Sequence, residues 1–230
     1  MSRNSAAIEG LGAGLRPLGT APERRRRTPM PLVDRVIVVA SLGAVCVLTG
    51  CASASTTIVT TGTALNEPLC QANSPAFSVA IFWTTQWRPD QKEPALREAA
   101  ALRGIQDFLA RSSCVAGAGI KRLATGDASP PSDELQRLAA AVQPLPERIV
   151  LIVVRELGPR LVVGSPVIVE GGTEVVVDVR VLDTRTSRLL ADSRTIWRNG
   201  GSFVIKGVGT LDQDMSAALT AAFMPGGVPE

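Results

Sequence analysis

Apolar residues fall along this chain in stretches of distinct period, and each stretch predicts an element. The first, Val36 to Gly50, carries no charge over 15 residues. That is shorter than the roughly 20 residues a membrane-spanning helix needs. Ala76–Trp83 is apolar throughout and predicts a strand buried on both faces. Ala95–Arg111 places Leu96, Ala99, Ala100, Arg103, Ile105, Phe108 and Leu109 mostly on a 3.6 period, which predicts a helix that Gly104 weakens slightly. Ile120–Ala124 predicts a short strand. Ser132 or Asp133 can cap a second helix, Glu134–Val142, which stops before Pro144. Four β-rich runs follow: Arg148–Leu157, Arg160–Glu170, Thr173–Leu182 and Arg188–Trp197. Gly164 and Pro166 mark the second as an edge or bulged strand. In the third, Val175, Val177, Val179 and Val181 share one face, and Glu174, Val176, Asp178, Arg180 and Leu182 the other. A hairpin across Asp183–Ser187 joins the last two runs, and Leu211–Phe223 makes a final helix. The order β-α-β-α-β-β-β-β-α predicts an α+β fold: a single mixed or largely antiparallel sheet with helices packed on one face.

The uncharged run ends in Leu48-Thr49-Gly50-Cys51. An apolar core closed by an aliphatic residue, a small polar residue, Gly and Cys resembles the lipobox of bacterial lipoproteins with a type II signal peptide. The resemblance implies cleavage before Cys51 and acylation (palmitate among the chains) of its thiol. It also implies a location in the cell envelope, lipid-anchored and facing the periplasm. The next residue is Ala52 rather than Asp, which in such lipoproteins points to the outer membrane rather than the inner. Residues 1–50 are then a signal peptide. A leader of 35 residues before Val36 is long, and Met30 offers a compact alternative start. Residues 51–75 hold the lipidated Cys and a flexible tether, since Ala52–Ala64 is rich in Ser, Thr and Ala. Residues 76–224 form the periplasmic α+β domain.

Charge changes the picture only by being discounted. The whole chain carries a formal +3, yet the residues before Cys51 hold seven Arg against Glu9, Glu23 and Asp34, or +4, and the remainder is −1. The folded part lacks the basic footprint of a nucleic-acid binder. Once Cys46 is lost with the leader and Cys51 is acylated, Cys70 and Cys114 remain in an oxidising compartment and are expected to form a disulfide. Two free buried thiols are the alternative.

Candidate chemistry is sparse. The chain has no His, so no Ser-His-Asp or Cys-His arrangement can form, and no catalytic residue, metal site or cofactor is expected. Gly207-Val-Gly209 before the last helix lacks the spacing of a phosphate-binding loop and reads as an ordinary helix entry. The pairs Asp133/Glu134 and Asp212/Asp214 suit helix starts. Trp83 and Trp87 in one place, and Trp197 with Arg198 in another, are the candidate partner-binding residues, because Trp and Arg dominate binding hot spots.

The hairpin Val179–Leu190, with Asp183-Thr-Arg-Thr-Ser187 at its turn, is followed by a Gly-rich loop and a terminal Ala-rich helix. It is similar to the carboxy-terminal half of the curli-secretion lipoprotein, the penicillin-binding-protein activator lipoproteins and the amino-terminal domain of TolB. The similarity spans Ile149–Phe223. Those proteins are adaptors or assembly factors, so the resemblance implies a non-enzymatic binding or assembly role with an envelope protein partner, and it assigns no site residues. Two alternatives stand beside it. An auxiliary lipoprotein of an envelope transport system would show an apolar cleft for a small-molecule ligand between helix and sheet. A lipid-anchored carboxylate-dependent hydrolase would show two facing carboxylates at glycosidase spacing.

Overall fold

The computed structural model describes residues 54–65, 76–113, 115–124, 130–164 and 168–224. They form β1 (Ser55–Thr63), β2 (Phe77–Thr85), α1 (Pro94–Arg111), β3 (Val115–Arg122), α2 (Ser132–Ala140), β4 (Arg148–Gly164), β5 (Ile168–Asp183), β6 (Leu189–Ser202) and α3 (Leu211–Phe223). The six strands make one sheet in the order β1-β6-β5-β4-β2-β3. β2 runs parallel to β3 and β4; the β4-β5, β5-β6 and β6-β1 pairs are antiparallel. The α+β class with a mixed sheet is the one the apolar pattern predicts.

Helices cover both faces. Both β2-α1-β3 and β3-α2-β4 join parallel strands. The first steps outward from β2, and the second steps back past it. Right-handed crossovers running in opposite directions leave their helices on opposite faces. The expected single helical face therefore holds only α1 and α3, and α2 lies on the other. The larger core gathers Ile81 and Trp83 of β2, Ile152 and Leu157 of β4, and the four alternating valines of β5. These pack against Ile105 and Phe108 of α1 and Met215, Leu219 and Phe223 of α3. The smaller core packs Phe82, Ile149, Leu151 and Leu182 against Leu135 and Ala139 of α2. α1 and α3 touch closely at Gly104. A Cβ there would lie 2.5 Å from Met215 Cβ and 2.7 Å from the Asp212 carbonyl oxygen. The glycine that lowers helix propensity is what lets the two backbones approach. Four residues on, Phe108 stacks on Phe223 with centroids 5.2 Å apart.

Two further expectations change. The segment expected as a tether contributes β1, a nine-residue strand paired with β6 from Ser55↔Gly200 to Thr63↔Asp192. Its Thr, Ile and Val residues suit a strand as well as a polar linker, and the β6 edge supplies the partner. In addition, Arg148–Leu157 and Arg160–Glu170 are not two strands. β4 runs unbroken to Gly164 and pairs with β5 along its whole length. Pro159 does not interrupt it, because β2 pairs with β4 only as far as Val154. Beyond that point one side of β4 is open, where a missing N–H costs nothing.

Candidate functional site

The face of β5 and β6 that points away from α1 and α3 carries a ladder of ion pairs. Each pair follows from register. Glu174 lies opposite Arg198, Asp178 opposite Arg194, and Arg180 opposite Asp192. Directly opposed charges of opposite sign stabilise a strand pair. Asp178 accepts hydrogen bonds from Arg194 Nε at 2.6 Å and Nη2 at 3.0 Å, and a further one from Arg155 of β4. Burial alone would raise the Asp178 pKa. The hydrogen bonds and charges of Arg194 and Arg155 outweigh it and hold the carboxyl below its ordinary value. The Arg194 guanidinium moves up in response to Asp178. Glu174 takes Arg198 and, at 3.8 Å, Arg160. Arg180 reaches Asp192 at 3.4 Å.

At the carboxyl end of β2, beside the middle of β4, the ladder meets a second cluster. A bulge between Val154 and Glu156 shifts the register of β4 against β5. Bulges re-aim side chains, and here two adjacent ones serve different neighbours. Arg155 bonds both Asp178 and Gln86. Glu156 takes Arg88 at 3.1 Å, Arg97 at 3.4 Å and the Gln91 amide at 3.2 Å. Arg97, at the start of α1, is only 7% exposed. It donates to the carbonyls of Lys92 (2.7 Å) and Leu157. Gly158 makes the room: a Cβ there would lie 1.7 Å from Arg97 Nη1. The loop from Gln86 to Glu93 is thus pinned by one buried arginine and one carboxylate, with Trp87 half-buried and Arg88 exposed on it. Beside it, Arg122 of β3 lies 5.8 Å above the Trp83 ring and pairs with Glu98 at 2.8 Å. This loop sits where the two crossovers part, the crevice position at which open sheets with parallel strands commonly bind ligands.

The predicted residues divide among these places. Trp83 and Trp197 are each 3% exposed and pack in the larger core. Trp87 packs against that core from the loop. Arg198 belongs to the ladder, on the opposite side of β6 from Trp197. Cys51, Cys70 and Cys114 lie outside the described residues. Reading the sequence missed Arg97, Arg155 and Glu156. Their signal was present as the charged pair Arg155-Glu156 closing the apolar run Ile149–Val154, where a buried strand should continue. Among the described residues there is no group of three His, Cys, Asp or Glu able to hold a metal ion, and no helix long and apolar enough to cross a membrane.

No protein-family model matches the chain, and no curated protein matches it. Solved structures do. The PelC dodecamer from Paraburkholderia phytofirmans is 12% identical, with a TM-score of 0.40, over 74% of this chain and 99% of that one. Lipoprotein GNA1162 from Neisseria meningitidis is 16% identical, with a TM-score of 0.35, over 64% and 96%. Protein XCC0632 from Xanthomonas campestris is 12% identical, with a TM-score of 0.34, over 70% and 88%.

Proposed function

We propose that this chain is a lipid-anchored envelope protein that binds another envelope protein, without catalysing a reaction, through the surface formed by the Gln86–Glu93 loop and the adjoining arginine–carboxylate ladder. The observation that carries the anchor is Leu48-Thr49-Gly50-Cys51 at the end of an uncharged run. The surface is supported by its composition and its rigidity. Trp87 and Arg88 are hot-spot residue types. Arg97 and Glu156 hold the loop in place before any partner arrives, which lowers the ordering cost of binding. Outer-membrane placement rests on Ala52, and pairing of Cys70 with Cys114 rests on the oxidising compartment that the anchor implies.

The chemistry of the carboxylates favours binding over hydrolysis. Asp178, Glu174, Glu156, Glu98 and Asp212 each face at least one arginine. A general acid needs a raised pKa, whereas Asp178 moves down. The transport-auxiliary alternative asks for an apolar cleft between helix and sheet, and that space is filled by Phe108, Met215, Leu219 and Phe223. A photo-crosslinking residue at Arg88 in living cells tests the surface. It should capture a discrete envelope protein, and the capture should weaken when the crosslinker is moved to Arg185 on the far hairpin. Equal capture from both positions, or none from Arg88, would refute this assignment.

A further inference from the structure

The β4-β5 hairpin runs past the rest of the sheet, and near its end β4 exposes apolar side chains on both faces, with the Glu170 carboxylate opposite Val162. Leu161, Val162 and Val163 succeed one another along β4, so their side chains alternate between faces, yet all three are exposed, Val163 to 69%. Val163 pairs with Val169 of β5. The Val169 carbonyl accepts from the Phe203 N–H at 2.8 Å, which sets Phe203 beside the hairpin. Phe203 has φ 61° and is 68% exposed, and Ile205 is 86% exposed. A bulky side chain at positive φ costs energy, and here it leaves an aromatic ring in solvent. These residues gather at one end of the molecule, and water is a poor environment for such a group.

The same end is where the chain leads toward Cys51. Ser55 opens β1 opposite Gly200, and its hydroxyl donates to the Gly200 carbonyl at 3.3 Å. β1 is antiparallel to β6. The chain leaving Ser55 toward Cys51 therefore sets out in the direction that β6 takes from Gly200 to Phe203. Four residues reach at most about 14 Å, so Cys51 is confined to the neighbourhood of the apolar end. We propose that the hairpin end at Leu161–Val163, together with Phe203 and Ile205, inserts into the outer layer of the bilayer that holds the Cys51 lipid. The proposal rests on the lipid-anchor reading. The occupant it names is the lipid surface, because four residues from Ser55 to Cys51 are too few to hold this end away from one. Insertion adds a second contact to the acyl chains and fixes the domain's orientation, with the Asp183–Ser187 turn at the opposite end of β5 and β6 pointing away from the membrane.

The test uses the full chain, processed in cells and reconstituted in vesicles of phosphatidylethanolamine and phosphatidylglycerol. An environment-sensitive probe is placed at Phe203→Cys or, as the distant control, at Arg185→Cys, with the wild-type chain labelled in parallel to set the background. The proposal expects nitroxide-bearing lipids to quench the probe at 203 and to leave the probe at 185 unchanged. In a chain labelled at Ile205→Cys, adding Val163→Asp and Phe203→Asp should return the probe to a water-like emission. Both positions are exposed, so the core is untouched. Intact mass of the same samples reads the lipid separately. An acylated chain whose probe at 203 stays in water overturns insertion and leaves the anchor standing. A chain without acyl groups overturns the anchor and this proposal with it. A dehydrated probe at 203 in lipid-free protein of doubled mass assigns the apolar end to a second copy, and also overturns it.

Discussion

Asp178 is shared by two arginines from two strands, Arg194 of β6 and Arg155 at the β4 bulge. Its carboxyl lies below the ordinary value. A carboxyl with a depressed folded-state pKa contributes stability above its unfolded value, near 3.9, and that contribution is lost as pH falls through the folded value. Asp178→Asn should therefore lower the urea midpoint at neutral pH, and its deficit against wild type should shrink as the pH falls below about 4. Partial exposure screens the pair, so the effect is a modest one. Urea titrations of both proteins across the acid range check this, and a deficit that stays constant throughout would contradict it. The alternation in Thr173–Leu182 made the Asp178 face readable from the sequence. The partners were not readable: Arg194 needs the hairpin register, and Arg155 needs a bulge that no local pattern announces. The same limit explains the tryptophans. Trp83 and Trp197 look like Trp87 in sequence, yet only the strand phase decides that two of them pack in the core while Trp87 stays on the loop.

Among elements, β1 departs furthest from what its sequence suggests. Ser55–Thr63 is exposed along its whole length and touches the sheet through one neighbour only. Nothing amphipathic marks it, because a strand exposed on both faces has no apolar side. Its place is set by the partner edge, a non-local fact. Hydrogen exchange separates the two readings of the segment. Amides of β1 bonded to β6 should be protected, and the β6 amides facing them likewise, whereas a tether exchanges at the rate of free peptide. Unprotected amides throughout Ser55–Thr63 would count against the strand. α1, α3 and the β5-β6 hairpin were legible because their information is local. The hairpin turn carries its own signal, with the Asp183 carboxylate accepting from the Thr186 N–H and hydroxyl, both at 2.7 Å. α2 was legible as a helix but not in its position, since its face depends on the direction in which the chain crosses the sheet.

At the scale of the molecule, three features share one orientation. The chain departs toward Cys51 from one end of the sheet, the apolar hairpin lies at that end, and the hairpin turn at Asp183–Ser187 lies at the other. The pinned Gln86–Glu93 loop and the arginine–carboxylate ladder lie on the body between them. The arrangement suits a protein fixed to a membrane by one end and presenting its body to a partner. The mass of the mature amino terminus reads the anchor itself. Protein purified from membranes should begin at Cys51 and carry a diacylglyceryl group with a further acyl chain, and Cys51→Ser should abolish both cleavage and the added mass. A mature chain that retains residues before Cys51, or whose Cys51 bears no lipid, would contradict a lipid anchor at that position.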